Sequence, residues 1–165
     1  MAERWILNAS PLIVLAQVGL ERLFFDLADE IILPRAVAIE IDAGPPEDLA
    51  RRALATGSFT IVDTPAPPGE ILAWDLGSGE TAVLSFALTQ SGWTAVLDDA
   101  AARRCARSFL VPLKGTLAVV ILAKQRGLIT SAAQTLLALR SVGFRLDDRT
   151  IREALSRTVG EVWLP

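Results

Sequence analysis

Histidine and tyrosine are absent from the 165 residues, and cysteine and methionine occur once each. Without histidine the chain by itself has neither Ser-His-Asp nor Cys-His catalysis and no His-ligated metal. A single cysteine, Cys105, excludes an intrachain disulfide and a cysteine zinc cage. Placed among Ala and Arg in a helical pattern, it reads as a small semi-buried residue. Long apolar runs are also missing: the longest, Leu117 to Ala123, falls well short of the ~18 to 20 residues that span a bilayer. No basic-then-apolar leader with a cleavage site opens the chain, so a soluble cytoplasmic protein with no membrane partner is expected. An excess of positive charge is lacking too. The formal net charge of −3 does not suit a domain that binds nucleic acid through bulk charge. Lysine is scarce, since 14 of the 16 basic residues are arginine, the side chain suited to forked contacts with carboxylate or phosphate.

What is present is a large apolar fraction, 52%, enough at this length for one domain over residues 1–165 with a sizeable core. Its organising stretch is Thr94-Ala-Val-Leu-Asp98-Asp99, a short buried strand that runs into two carboxylates and hands over to a helix at Ala100 to Ser108. Further strands are expected at Arg4 to Leu7, Ile31 to Leu33 and Phe59 to Val62, with brief extended pieces at Leu110 to Pro112 and Phe144 to Leu146. Helical patterns fill the intervals: Leu12 to Val18, with Ser10 as N-cap and Pro11 in the first turn, then Leu20 to Ala28, Pro34 to Ile41 and Glu47 to Thr56. Others run from Gly79 to Gln90, from Thr116 to Arg126 and from Ser131 to Val142. A last one, over 147–160, is capped by Asp147 or Asp148. Ile71 to Trp74 is read as a short helix. Strands alternating with helices indicate βαβ units and an α/β fold with a mostly parallel sheet covered on both faces.

In such sheets ligands bind outside the carboxyl ends of the strands. Right-handed crossovers bring all those ends to one edge. Asn8 follows the first strand, Glu40 lies late in the helix after the second, Glu80 opens a helix, and Asp98 with Asp99 ends the central strand. Oxygen ligands of this kind suit a hard divalent cation. Each residue also has a plainer role. Asn8 fits a turn residue bonding its own backbone, Glu40 an exposed helix acid, Glu80 a complement to a helix dipole, and Asp99 an N-cap, which leaves Asp98 the better ligand. Arg103, Arg104 and Arg107 fit a solvated helix face.

Several stretches together resemble PIN-like domains: Asn8-Ala-Ser-Pro-Leu-Ile13, Pro34-x-x-Val37-x-x-Glu40-Ile41, Leu76-Gly-Ser-Gly-Glu80-Thr-Ala, Leu97-Asp-Asp99-x-x-x-Arg103, Gly115-Thr116 and Ala123-Lys124-x-x-Gly127-Leu-Ile129. More narrowly, they resemble the subgroup related to VapC-type toxins of bacterial toxin–antitoxin systems, over about residues 4–145. The resemblance implies a three-layer α/β/α fold and a Mg²⁺- or Mn²⁺-dependent ribonuclease. It implies Glu40, Glu80 and Asp98 as catalytic and metal-holding acids, with Asp99 as an addition to Asp98 or its substitute. Asn8 departs from the family pattern, taking the place of an acid and removing one negative charge. Its carbonyl remains able to ligate a hard cation. RNA would be contacted by Arg103, Arg104 or Lys114, and the implied partners are a cognate antitoxin and a second copy of the chain.

Two further readings follow from the residues. A catalytically weakened or inactive PIN-like module, binding RNA or an antitoxin, is motivated by Asn8. A dinucleotide-binding domain is suggested by Gly77-x-Gly79-x-x-Ala82 with Asp98 about 20 residues on. Against the latter, the preceding Ile71-Leu-Ala-Trp-Asp lacks strand character, and Glu80 would face a pyrophosphate.

Overall fold

The computed structural model describes residues 2–165. Its centre is a sheet of five parallel strands: β1 (Arg4–Leu7), β2 (Glu30–Pro34), β3 (Thr60–Val62), β4 (Thr94–Val96) and β5 (Leu113–Lys114). Their order is β3-β2-β1-β4-β5. The chain builds outward from β1 in one direction, then crosses back to add β4 and β5 on the other side. The direction of winding therefore reverses between β1 and β4, and a crevice opens there at the carboxyl ends of the strands. Trp5, Ile6, Leu7, Ala95 and Val96 are buried without alternation, as expected of strands covered on both faces.

Ten helices among the described residues flank the sheet and give a three-layer α/β/α architecture: α1 (Ala9–Gln17), α2 (Leu23–Leu27), α3 (Arg35–Asp42), α4 (Leu49–Ala55), α5 (Gly69–Leu72), α6 (Ser78–Thr89), α7 (Ala100–Ser108), α8 (Thr116–Gln125), α9 (Ala132–Ser141) and α10 (Asp148–Thr158). Apolar residues from every layer join one connected core. No helix among the described residues is long and apolar enough to cross a membrane. Helix α6 packs against β1, β2 and β4 as well as α3, which carries its first turn to the crevice.

Four local expectations are corrected. The fifth strand is Leu113–Lys114 rather than Leu110 to Pro112; Leu110 takes a positive φ of 55°, which ends α7 instead of extending the chain. Phe144 to Leu146 forms no strand: it is the α9–α10 loop, with Phe144 buried. The helix expected over Leu20 to Ala28 contracts to α2, because residues 18–22 are spent on turns after Gly19, whose φ is +73°. Finally, α1 begins at Ala9, so Ser10 lies inside the first turn and Asn8 holds the cap position, with no side-chain cap bond.

The segment after α10 is tied down through Glu161 and Trp163. Glu161 accepts from the backbone N–H groups of Ala132 and Ala133 and from Ser131 Oγ, satisfying the open start of α9. Trp163 is buried and donates Nε1–H to Asp148 Oδ1 at 3.0 Å. Arg140 reaches the same carboxylate at 2.7 Å. Asp147 caps α10 through Thr150, as its sequence position suggests, whereas Asp148 serves this clamp.

Candidate active site at the carboxyl edge of the sheet

Asn8 follows β1 and extends its pairing, its backbone N–H donating to Val96 O at 3.1 Å. The side chain is 2% exposed and does not turn back to cap its own helix. Its Nδ2 instead donates to Glu80 Oε1 at 3.1 Å, a contact between residues 72 apart. The remaining atom, Oδ1, is buried and receives no hydrogen bond. A buried carbonyl oxygen without a donor carries a desolvation cost of about 1–3 kcal/mol, so its surroundings bear on what it is for.

Those surroundings are set by Gly79, in the first turn of α6. A Cβ at that position would stand 2.7 Å from Glu40 Oε2, 3.0 Å from Asn8 Oδ1 and 3.4 Å from Val37 Cγ2. The missing side chain thus leaves a small space flanked by two oxygens from different elements. Val37 and Glu40 approach it from one face of α3, following their i, i+3 spacing. The Glu40 carboxyl is held above the ordinary glutamate range, first by burial and then by the nearby Glu80 charge.

Asp98 lies two residues beyond β4 on the opposite wall. Thr116, at the start of α8, donates its backbone N–H to Asp98 Oδ1 at 2.8 Å and its hydroxyl to Oδ2 at 2.6 Å. Burial pushes the Asp98 carboxyl up, against the opposing pull of both Thr116 bonds and of the Arg103 charge. Arg103 donates Nη1–H to Leu97 O at 2.9 Å, so its guanidinium is fixed beside the carboxylate. Gly115 makes room: a Cβ there would come within 2.9 Å of Arg103 Nη1 and 3.0 Å of Asp98 Oδ1. Asp99 caps α7, with Oδ2 accepting from Ala102 N–H at 2.9 Å.

Asn8, Ser10, Glu80, Asp98 and Asp99 line one open cleft of about 280 Å³, closed on the far side by Gly143, Phe144 and Arg145. The sequence-predicted residues therefore fall into two neighbouring groups. Asn8, Glu40 and Glu80 gather at the Gly79 gap. Asp98 and Asp99 share the cleft with Asn8 and Glu80, and Glu40 does not line it. Among the described residues, no three His, Cys, Asp or Glu side chains come close enough to hold a metal ion. The gathering is made of two carboxylates and an amide, in keeping with Asn at position 8. Its donors are all oxygens, and one of them, Asn8 Oδ1, is buried and unpartnered beside a second. That donor set and that unpartnered oxygen fit a hard cation of the Mg²⁺ or Mn²⁺ type.

Of the expected RNA-binding residues, Arg103 faces the site. Arg104 is exposed on α7, and Lys114 ends β5, its backbone carbonyl accepting from Leu97 N–H at 2.9 Å. Residues that sequence reasoning missed are Thr116 as partner of Asp98, and Phe144 with Arg145 in the far wall. The glycine fingerprint is not preceded by a strand: Gly77 follows α5 and a turn, and a Cβ there would meet Glu80 Oε2 at 2.6 Å. These glycines cradle carboxylates, where a pyrophosphate would be repelled.

In comparisons with known proteins, the PIN-domain family matches residues 4–160. None of the curated proteins compared matches the chain.

Proposed function

The chain belongs to the PIN-domain family, a nuclease fold, and on that premise we propose that it is a divalent-metal-dependent endoribonuclease. The observation that supports this most is the buried, unpartnered Asn8 Oδ1 beside Glu40 Oε2, on the rim of a cleft that Glu80 and Asp98 also reach. Glu80, Glu40 and Asn8 would hold a Mg²⁺ or Mn²⁺ ion, with Asp98 facing them. When bound, such an ion supplies an acidified water, which a chain without histidine otherwise lacks, and adds positive charge against the phosphodiester.

The protein's own groups do the rest. Asn8 fixes Glu80 through its amide. Thr116 fixes both oxygens of Asp98, so the carboxylate presents one geometry to the cleft. Arg103, pinned by Leu97 O, keeps Asp98 compensated and offers a guanidinium to a backbone phosphate. Arg104 and Lys114 extend that contact along the strand of RNA. A bacterial toxin role with a cognate antitoxin, a homodimeric state and a cytoplasmic location follow from the resemblance of the motifs and belong to the same reading. A second reading, a PIN module that binds RNA without cutting it, is favoured by the amide at position 8, where a third carboxylate would strengthen cation binding.

Labelled RNA incubated with Mn²⁺ and either wild type or Asp98→Asn separates the two. Cleavage by wild type, with at least a hundredfold loss in the variant, is expected. Equal cleavage by both removes Asp98 from the mechanism. RNA binding without cleavage by either, together with activity gained in Asn8→Asp, establishes the second reading.

A further inference from the structure

Beside the acidic cleft lies a second recess of about 220 Å³. The two share Asp98, Phe144 and Arg145 as walls, so the recess opens where a phosphodiester over the cleft would place its neighbouring nucleoside. Its lining is different in kind. Helix α8 contributes Leu117, Ala118 and Ile121, and the α9–α10 loop contributes Phe144 and Leu146. The surface they present is mostly apolar, and it meets two cations, Arg103 and Arg145. Arg145 is exposed and takes part in no ion pair among the described residues. Catalysis of phosphodiester hydrolysis by the acids does not use these apolar walls.

From this juxtaposition we propose that the recess receives one unpaired nucleobase of the RNA, next to the phosphodiester held at the acidic cleft. This rests on the ribonuclease reading and adds to it a subsite: a place for one base, free of its pair and its stack, between α8 and the α9–α10 loop. A nucleotide joins a flat ring with apolar faces to an anion one sugar away. The recess pairs apolar walls with the exposed Arg145, a residue that it shares with the cleft. Bases in single strands are recognised by stacking on such walls and on Arg planes, whereas a paired base is not available to enter. Arg145, exposed and in no ion pair among the described residues, is the residue placed to hold the connecting phosphate, while Arg103 serves the phosphate at the acidic cleft.

The test uses the full chain in EDTA, with fluorescently labelled single-stranded RNA read by anisotropy. A series of oligonucleotides carries one abasic position each, moved along the strand. One position is expected to lower affinity about 5- to 150-fold, the range of a single stacked base, while the others change little. Ala118→Phe fills the recess and is expected to bind the intact strand only as tightly as wild type binds the abasic one. Leu146→Ala, in the loop and adding no bulk, is expected to reduce the base-dependent part several-fold and covers the case in which the larger substitution unfolds the chain. Equal affinity for intact and abasic strands overturns the proposal and leaves the recess to a protein partner; absence of any RNA binding overturns it as well. Cleavage in Mn²⁺, measured in parallel, keeps the two readings apart. Cleavage that ignores the abasic position refutes the recess and leaves the nuclease standing. Base-dependent binding without cleavage refutes the nuclease and leaves the recess standing.

Discussion

Replacing Gly79 by alanine adds one methyl group at the point where α3, α6 and the end of β1 meet. Two effects act on stability in opposite directions. Alanine is favoured over glycine in a helix by about 1 kcal/mol. The new Cβ would lie 2.7 Å from Glu40 Oε2 and 3.0 Å from Asn8 Oδ1, and crowding of this kind costs typically about 1–3 kcal/mol. The nearer of the two atoms is the tip of a flexible, largely exposed side chain, so it swings away at little expense. Asn8 has no such freedom, being buried and tied at its backbone and its amide. The net change in stability is therefore expected to stay within about 1 kcal/mol, or about 4 °C in melting temperature for a chain of this length. The site pays instead: the methyl fills the space between the two oxygens and turns the Glu40 carboxylate out of it. A displacement of about 1 Å in such a constellation is enough for a hundredfold loss of rate. Thermal denaturation and Mn²⁺-dependent RNA cleavage, measured on the same preparation, check both halves. Wild-type cleavage in a normally folded Gly79→Ala protein would show that the gap plays no part, and the reasoning about Asn8 Oδ1 would fail with it.

Three other substitutions probe the same site. Glu40 titrates above the ordinary value of 4.5 in the folded chain, so the fold favours its protonated form; that stabilisation is fully present below about pH 4.5 and is lost as pH rises through the elevated folded value. Glu40→Gln is expected to melt higher than wild type at pH 7 in metal-free buffer, with the gap closing in acid, and a lower melting temperature at pH 7 would contradict it. Thr116→Val removes the hydroxyl that donates to Asp98 Oδ2 at 2.6 Å. A bond to a charged group contributes about 1.5–3 kcal/mol, so denaturant titration should show a loss of that size at pH 7 and a smaller one once Asp98 is protonated; no change at pH 7 would refute the role. Asn8→Asp places a third acid beside Glu40 and Glu80 and removes the donor to Glu80, so the melting temperature should fall by several degrees without metal and rise more steeply with Mn²⁺ than wild type. An unchanged melting temperature in EDTA would show that the charges do not crowd.

Much of the frame was legible because it is written in short range. Runs such as Trp5-Ile6-Leu7, followed by a break at Asn8 and a helical pattern, mark a strand, a turn and a crossover without any knowledge of the rest. The pairing of α3 with α6 was half visible: Val37 and Glu40 share a face by spacing alone, and the glycines before Glu80 signal a close approach. What they approach was hidden, since the oxygens around Gly79 come from residues 8 and 40 and only the folded sheet brings them together. Thr116 could be seen as part of a motif but not as the partner of Asp98, eighteen residues earlier. Phe144 and Arg145 were hidden for another reason. Their apolar, β-compatible stretch reads as a strand, and only the packing of α9 and α10 against α8 makes it a loop that lines the cleft.

The tail that Trp163 and Glu161 fasten has a practical side. Its anchors are the first turn of α9 and the head of α10, and the loop joining those two helices carries Phe144 and Arg145. Clipping that removes Trp163 and Glu161 would free the start of α9 and the head of α10, and so loosen that loop from behind. Protein trimmed by proteases past Trp163 should be suspected of altered RNA affinity before any acid is blamed.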